Sequence, residues 1–322
     1  MSKHYQFGSA FAILLVIAPL LVGCAAGTTG SGESDLQGTI TVSGAWALYP
    51  MMVRWGEEFH KANPGVEFDI SAGGAGKGMA DALAGAVDIG MVSRDIAPEE
   101  EAKGAFRIAV TKDTVLPVVS DKNPALADLL SKGVSRDVFI DIYITGKITT
   151  WGQVVGRPEI TDPIHVYTRS DAAGAPETWA KYLGKRQEDL LGIGVYGDPG
   201  LLDAVIKDPL GIGYNNLNYA FDANTGKAVA GAVVLPIDVN QDGKADADEV
   251  LETKAEAVES VASGRFPSPP ARALNLVTKG KSSGLVQAFI LWVLGDGQNY
   301  VAEAGYIRLT PEQLAKGKAA LQ

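Results

Sequence analysis

The sequence predicts an α/β protein, and three observations carry that expectation. Short runs rich in β-branched residues alternate with segments whose apolar residues recur every three or four positions. Hydrophobic residues make up 46% of the 322 and charged residues 20%, which supports sizeable cores and argues against wholesale disorder. Three strand-to-helix junctions are built mainly from small residues, a composition that lets a backbone turn tightly.

Taken in order, Thr39 to Val42 reads as a strand, and Met51, Trp55 and Phe59 then fall on one face of a helix from Pro50 to Ala62. Pro50 suits the first turn of that helix. Val66 to Ile70 alternates as a half-buried strand, Met79 to Leu83 begins a helix, and Val87 to Val92 is a further strand. Strands are expected at Ile108 to Thr111, Val115 to Val119, Ile164 to Thr168, Gly211 to Tyr214 and Ala273 to Val277. Helices are expected at Ser135 to Ile144, Pro176 to Leu183, Leu201 to Ile206, Glu249 to Ala262, Gly284 to Leu294 and Pro311 to Ala320. The proline-rich stretch Arg265 to Pro270 is a rigid connector leading into the last strand.

The N-terminus sets the expected compartment. Lys3 precedes an uncharged apolar run, Phe11 to Gly23, too short to span a bilayer comfortably. It reads as the core of a signal peptide. The run ends in Leu21-Val22-Gly23-Cys24, which resembles the lipobox of bacterial lipoproteins. That resemblance implies removal of residues 1–23, acylation of Cys24 and attachment to a membrane. Cys24 is the single cysteine, so no disulfide is expected. Residues 24–35 are small and polar and read as a flexible tether.

A formal net charge of −10 argues against nucleic acid as a partner, because phosphate backbones need a basic face. A small anion is still compatible with it. Local N–H groups and arginines outweigh distant charge when screening acts over about 8 Å.

The three corners are Ser43 to Pro50, Ala72 to Gly78 and Arg169 to Pro176. The first amides of a helix have no partner within it and sit at the positive end of its dipole, so an anion is favoured there. Ordinary turns share this composition, and one such corner decides nothing. As a set the corners resemble the phosphate-binding proteins of ABC importers. Gly44 and Pro50, Gly73-Gly74-Ala75-Gly76-Lys77-Gly78, Asp88-Ile89-Gly90-Met91-Val92-Ser93-Arg94 and Arg169-Ser170-Asp171-Ala172-Ala173-Gly174 carry the likeness. Ile144 to Trp151 and Gly211 to Tyr214 extend it over most of the chain after the tether.

The resemblance implies a two-lobed periplasmic-binding-protein (type II) fold with discontinuous domains and crossover strands. Residues 36–115 and 272–322 would form the first lobe, and 116–271 the second. It further implies a monomer that carries a small oxyanion in its cleft to an ABC permease in the membrane, with no cofactor and no catalysis. Amides of Ala47, Leu48 and Tyr49, of Ala75, Gly76 and Lys77, and of Ala173, Gly174 and Ala175 would hold the ligand. Ser93, Arg94 and Arg169 would assist, with Asp171 orienting Arg169.

The chain departs from this pattern. Serine and threonine hydroxyls expected at the corners are replaced by Ala45, Ala47 or Leu48, Ala75, Ala173 and Ala175. Each hydrogen bond to a charged group contributes about 1.5–3 kcal/mol, so amides and arginines must take over, or the ligand differs. Molybdate, tungstate, sulfate and a small organic anion are the alternatives to phosphate. Arg94 stands where some relatives place an aspartate that accepts the proton of hydrogen phosphate. Trp46 and Tyr49 are bulky for an anion corner; they line a pocket or pack beneath the helix.

Residues 238–249 fit the calcium-loop pattern D-x-[DN]-x-[DN]-G-x5-E. Oxygens of Asp238, Asn240, Asp242, Asp246 and Glu249 and the Lys244 carbonyl would ligate a structural Ca2+, with Gly243 at the turn. No helix is expected before Asp238, so the loop would tie down the second lobe and would not act as a sensor. The competing class is a lipid-anchored phosphoester hydrolase. Ser93 and Ser170 are poor nucleophile candidates for it, and His60 and His165 show no triad spacing. A sensory or adhesive surface lipoprotein is a third reading.

Overall fold

The computed structural model describes residues 36–322. The expected signal peptide, the tether and Cys24 lie outside the described residues. Within 36–322 no helix is long and apolar enough to cross a membrane.

The strands are β1 (Gly38–Gly44), β2 (Val66–Ala72), β3 (Ile89–Val92), β4 (Ala105–Ser120), β5 (Val134–Ser135), β6 (His165–Arg169), β7 (Ile193–Val195), β8 (Gly211–Asn216), β9 (Ala232–Val234), β10 (Ile237–Asp238) and β11 (Ala271–Lys279). A nine-stranded sheet has the order β2-β1-β3-β11-β4-β8-β6-β7, with β9 paired to β4; β10 and β5 form a separate pair. The pairs β1–β2, β1–β3, β6–β8 and β6–β7 are parallel. Parallel neighbours require crossover helices, which cover the faces and leave the strand ends free to build a site.

The molecule is two-lobed. One core gathers Ile40, Met51, Trp55, Phe59 and Met91 with Leu276 and Phe289 from the C-terminal part of the chain. The other gathers Leu116, Phe139, Trp151, Trp179, Leu201 and Tyr214. The helix Tyr49–Ala62 joins the first core through Met51, Met52, Trp55 and Phe59, and the Trp55 indole donates to the Gly297 carbonyl at 2.8 Å.

Strand β4 connects the cores. It was expected as two strands broken at Lys112-Asp113-Thr114, and it is one strand of 16 residues. The polar triplet keeps its ladder because Lys112, Asp113 and Thr114 pair with Ala273, Arg272 and Ala271 of β11. The buried charge of Asp113 is met by Arg272 across that pair, Nε to Oδ1 at 3.0 Å. From Val115 onward β4 pairs with β8. A second difference concerns the helix expected from Glu249, which runs only Lys254–Ala262. The Glu249 carboxylate instead accepts from the Val239 and Asp246 amides, and Thr253 caps the helix by accepting from Glu256 N.

Candidate functional site

The three predicted corners converge on the seam between the lobes. Gly44 has φ +130°, and its carbonyl accepts from the Gly73 and Gly74 amides at 2.9 and 3.1 Å, which locks the first two corners together. Across the seam the Gly76 amide donates to the Ala172 carbonyl at 3.0 Å. A Cβ at Gly174 would lie 2.0 Å from Ser93 Oγ and 2.3 Å from Ser93 O, so this corner approaches β3 only because it carries no side chain.

Several amides expected to bind ligand are engaged elsewhere. Leu48 and Tyr49 both donate to the Ala45 carbonyl, at 3.1 and 3.2 Å, because the corner opens with a tight turn, Trp46–Leu48, ahead of the α-helix. Gly76 is spent on Ala172, as above. Ala173 donates to Gln187 Oε1 at 3.3 Å, while Gln187 Nε2 holds the Asp171 carbonyl at 2.7 Å. The amides of Ala47, Ala75, Lys77, Gly174 and Ala175 make none of these loop bonds.

The charged candidates divide sharply. Arg94 forks onto Glu100, at 2.8 and 2.7 Å, so the guanidinium expected to face an oxyanion is engaged. The same carboxylate caps the short helix Pro98–Ala102 through the Ala97 amide at 2.9 Å, and the Arg94 bonds lead the causes that hold it below its ordinary range. The exposed Lys77 ammonium bonds Asp81. Arg169, by contrast, is buried at the seam. Asp171 grips it at Nε (2.7 Å) and Nη2 (2.5 Å), and Nη1 reaches Asp198 at 2.6 Å.

Asp198, Asn216, Arg272 and Asp113 were not among the sequence candidates. Asp198 Oδ1 accepts from Asn216 Nδ2 at 2.7 Å. Arg272 donates to Asn216 Oδ1, to the Gly174 carbonyl and to Thr178 Oγ1, the last at 2.7 Å, besides Asp113. Burial pushes the Asp113 carboxyl up to about 6 against the pull of Arg272, and Asp198 adds to the rise. Its Oδ2 is buried with no partner. Asp198 begins a helix in Gly197-Asp198-Pro199-Gly200, the same glycine and proline signature as the other corners, so a signal for it existed. Nothing local announces that Asp113 and Arg272, 159 positions apart, face each other.

Residues 29–297 match the family described as PBP superfamily domain. The chain belongs to the PBP superfamily. It is similar to the phosphate-binding protein PstS of Bacillus subtilis, 26% identical over 316 residues that span 94% of this chain and 95% of that protein. It is similar to PstS of Methanocaldococcus jannaschii at 27% over 372 residues, covering 94% and 92%. Among solved structures, a Clostridium perfringens substrate-binding protein with bound phosphate superposes with TM-score 0.69 at 24% identity, over 85% of this chain and 100% of that one. An ABC-type phosphate transport receptor from Vibrio cholerae gives TM-score 0.61 at 18% identity, over 84% and 100%.

In this superfamily member the seam buries two guanidinium groups, Arg169 and Arg272, among three carboxylates, Asp113, Asp171 and Asp198. The ionised set carries one excess negative charge. Arg169 and the loop amides are donors and the carboxylates are acceptors, so the seam presents both kinds of group side by side.

Residues 238–249 adopt a compact loop. Asp238 accepts from the Asp242 and Gly243 amides, Asp242 from Lys244, and Asn240 Nδ2 donates to Asp246. The oxygens suit a hard cation, yet they are turned to the loop's own N–H groups. No group of three His, Cys, Asp or Glu gathers in metal-holding geometry among the described residues.

Proposed function

We propose that this chain is the extracytoplasmic solute-binding lipoprotein of an ABC importer, and that it captures phosphate between its lobes without altering it. The single observation that carries the reading is Arg169, buried at the seam and oriented by Asp171 at a glycine corner facing two others. In the bound state a phosphate oxygen takes over Arg169 Nη1, free corner amides hold further oxygens, and a phosphate hydroxyl donates to the carboxylate side of the seam. The relatives named for phosphate binding support the same reading. Cys24 would carry the lipid anchor, and the ligand-bound monomer would dock on a membrane permease. A phosphoester hydrolase is disfavoured because Ser93 is packed against Gly174 and the histidines are held elsewhere, His60 on Val66 and His165 on Asp208.

Titration calorimetry with phosphate, sulfate, molybdate and tungstate tests the reading. Saturable heat with phosphate and none with sulfate is expected; binding of sulfate alone, or of none of the four, contradicts it.

For 238–249 we propose a structural calcium loop, an expectation supported by the donor set. An ion would displace the loop amides from Asp238, Asp242 and Glu249. Calcium should then raise the melting temperature of the wild type relative to chelator and leave Glu249→Gln unmoved. Equal melting temperatures with calcium and with chelator would remove the proposal.

A further inference from the structure

We propose that the Trp46 indole N–H is a ligand donor of the inter-lobe site, replacing side-chain hydroxyls that this corner lacks. The inference rests on the oxyanion-binding reading and extends it to a residue outside the corner amides.

Trp46 does not pack beneath the helix. Its neighbours Ala45 and Ala47 are buried, whereas its ring crosses the seam to the other lobe. It meets Tyr196 edge-on, with ring centroids 6.2 Å apart and planes at 85°. Its Cε2 and Cζ2 lie 3.3 Å from where a Cβ would stand on Gly197, whose φ of +73° also favours glycine. The Trp46 carbonyl accepts from Tyr219 Oη, again from the opposite lobe, at 3.3 Å.

Nε1 is bonded to Cε2, the atom at that contact. It is buried and has no hydrogen-bond partner. A buried indole normally finds a carbonyl, as Trp55 finds Gly297 and Trp151 finds Leu210. Trp179 Nε1 is also unpaired, but it sits in the core of the second lobe among Phe139, Tyr143 and Tyr214. The Trp46 donor instead adjoins Gly197, whose amide donates to Asp171 Oδ1 at 3.2 Å, and Asp171 holds Arg169. An orphan donor thus adjoins the Gly197 corner, whose amide holds the Asp171 carboxylate that orients Arg169, and it sits on a corner where Ala45, Ala47 and Leu48 offer no hydroxyl.

The test is calorimetry with inorganic phosphate on wild type and Trp46→Phe, which keeps a flat aromatic ring and deletes the N–H. Loss of one hydrogen bond to a charged oxygen predicts binding about 10- to 100-fold weaker. Affinity within about twofold of wild type at an unchanged melting temperature would overturn the proposal and leave the phosphate reading standing. Failure of the wild type to bind phosphate would instead remove that reading. A second measurement does not depend on the variant folding. Among the indole N–H resonances of the five tryptophans, the one in contact with Gly197 should move strongly on adding phosphate to wild type. An unmoved resonance at saturation would likewise overturn the inference.

Discussion

At the scale of single residues, Arg169 is the hub, and its partners explain why it is difficult to replace. Arg169→Gln leaves Asp171 and Asp198 buried without their cation, and breaking such a pair costs about 3–5 kcal/mol. Chemical denaturation should show that loss, and calorimetry should show no measurable phosphate binding. Asp198→Asn acts in the opposite sense. It removes one of three carboxylates at the seam while keeping size, and it exchanges one acceptor oxygen for an N–H donor. Sulfate, which brings no proton at neutral pH, should then gain measurable affinity; a variant as blind to sulfate as the expected wild type would show that the charge excess does not set selectivity. The residue scale is also where the sequence was least readable. Arg94 and Arg169 both read as anion arginines, but only Arg169 is buried between lobes. Arg94 meets Glu100 because the short helix after it starts at Pro98 and turns the third residue of its first turn back onto β3's end.

At the scale of elements, small residues and prolines marked the corners, and all three predicted corners meet at the seam. Their composition could not reveal which amides would be spent on neighbouring turns, since Leu48, Tyr49, Gly76 and Ala173 are satisfied by contacts set only in three dimensions. The corner at Gly197 had a legible signature, and it is the partner of Trp46. Strand β4 departs from its sequence expectation for a physical reason: Lys112-Asp113-Thr114 looks like a break until the return strand places Arg272 opposite Asp113. That pair carries a pH signature. The folded-state carboxyl lies at about 6, above its ordinary 3.8, so the folded protein binds the extra proton. The associated stability is therefore present below about pH 4 and lost as pH rises through 6, by about 3 kcal/mol. Denaturation at pH 4 and pH 7 should show this loss in the wild type relative to Asp113→Asn; parallel pH profiles for the two would refute it. At the third corner, Gly174→Ala sets a methyl against the Ser93 backbone. It should weaken phosphate binding by at least about tenfold and also lower the melting temperature, because the Ser93 backbone must move to admit the methyl; unchanged affinity and melting temperature together would refute the close approach.

At the scale of the whole molecule, two separate cores share one sheet, and β4 and β11 run side by side where the chain passes between them. Several bonds join the lobes: Gly76 to Ala172, Arg272 to Thr178, Tyr219 to Trp46, and Lys254 to the Ala304 carbonyl at 3.0 Å. The α/β class and the order of strands and helices were legible because periodicity and corner chemistry are local. The charge balance of the seam was not, since it depends on which distant residues the sheet order brings together. The central claim is that a phosphate ion lies between the lobes on Arg169. A crystal structure of the phosphate complex tests it most directly. One phosphate oxygen is predicted at ~2.8 Å from Arg169 Nη1 and another at ~2.9 Å from Trp46 Nε1. A phosphate bound outside the seam, with the Arg169–Asp198 bond intact, would contradict the account.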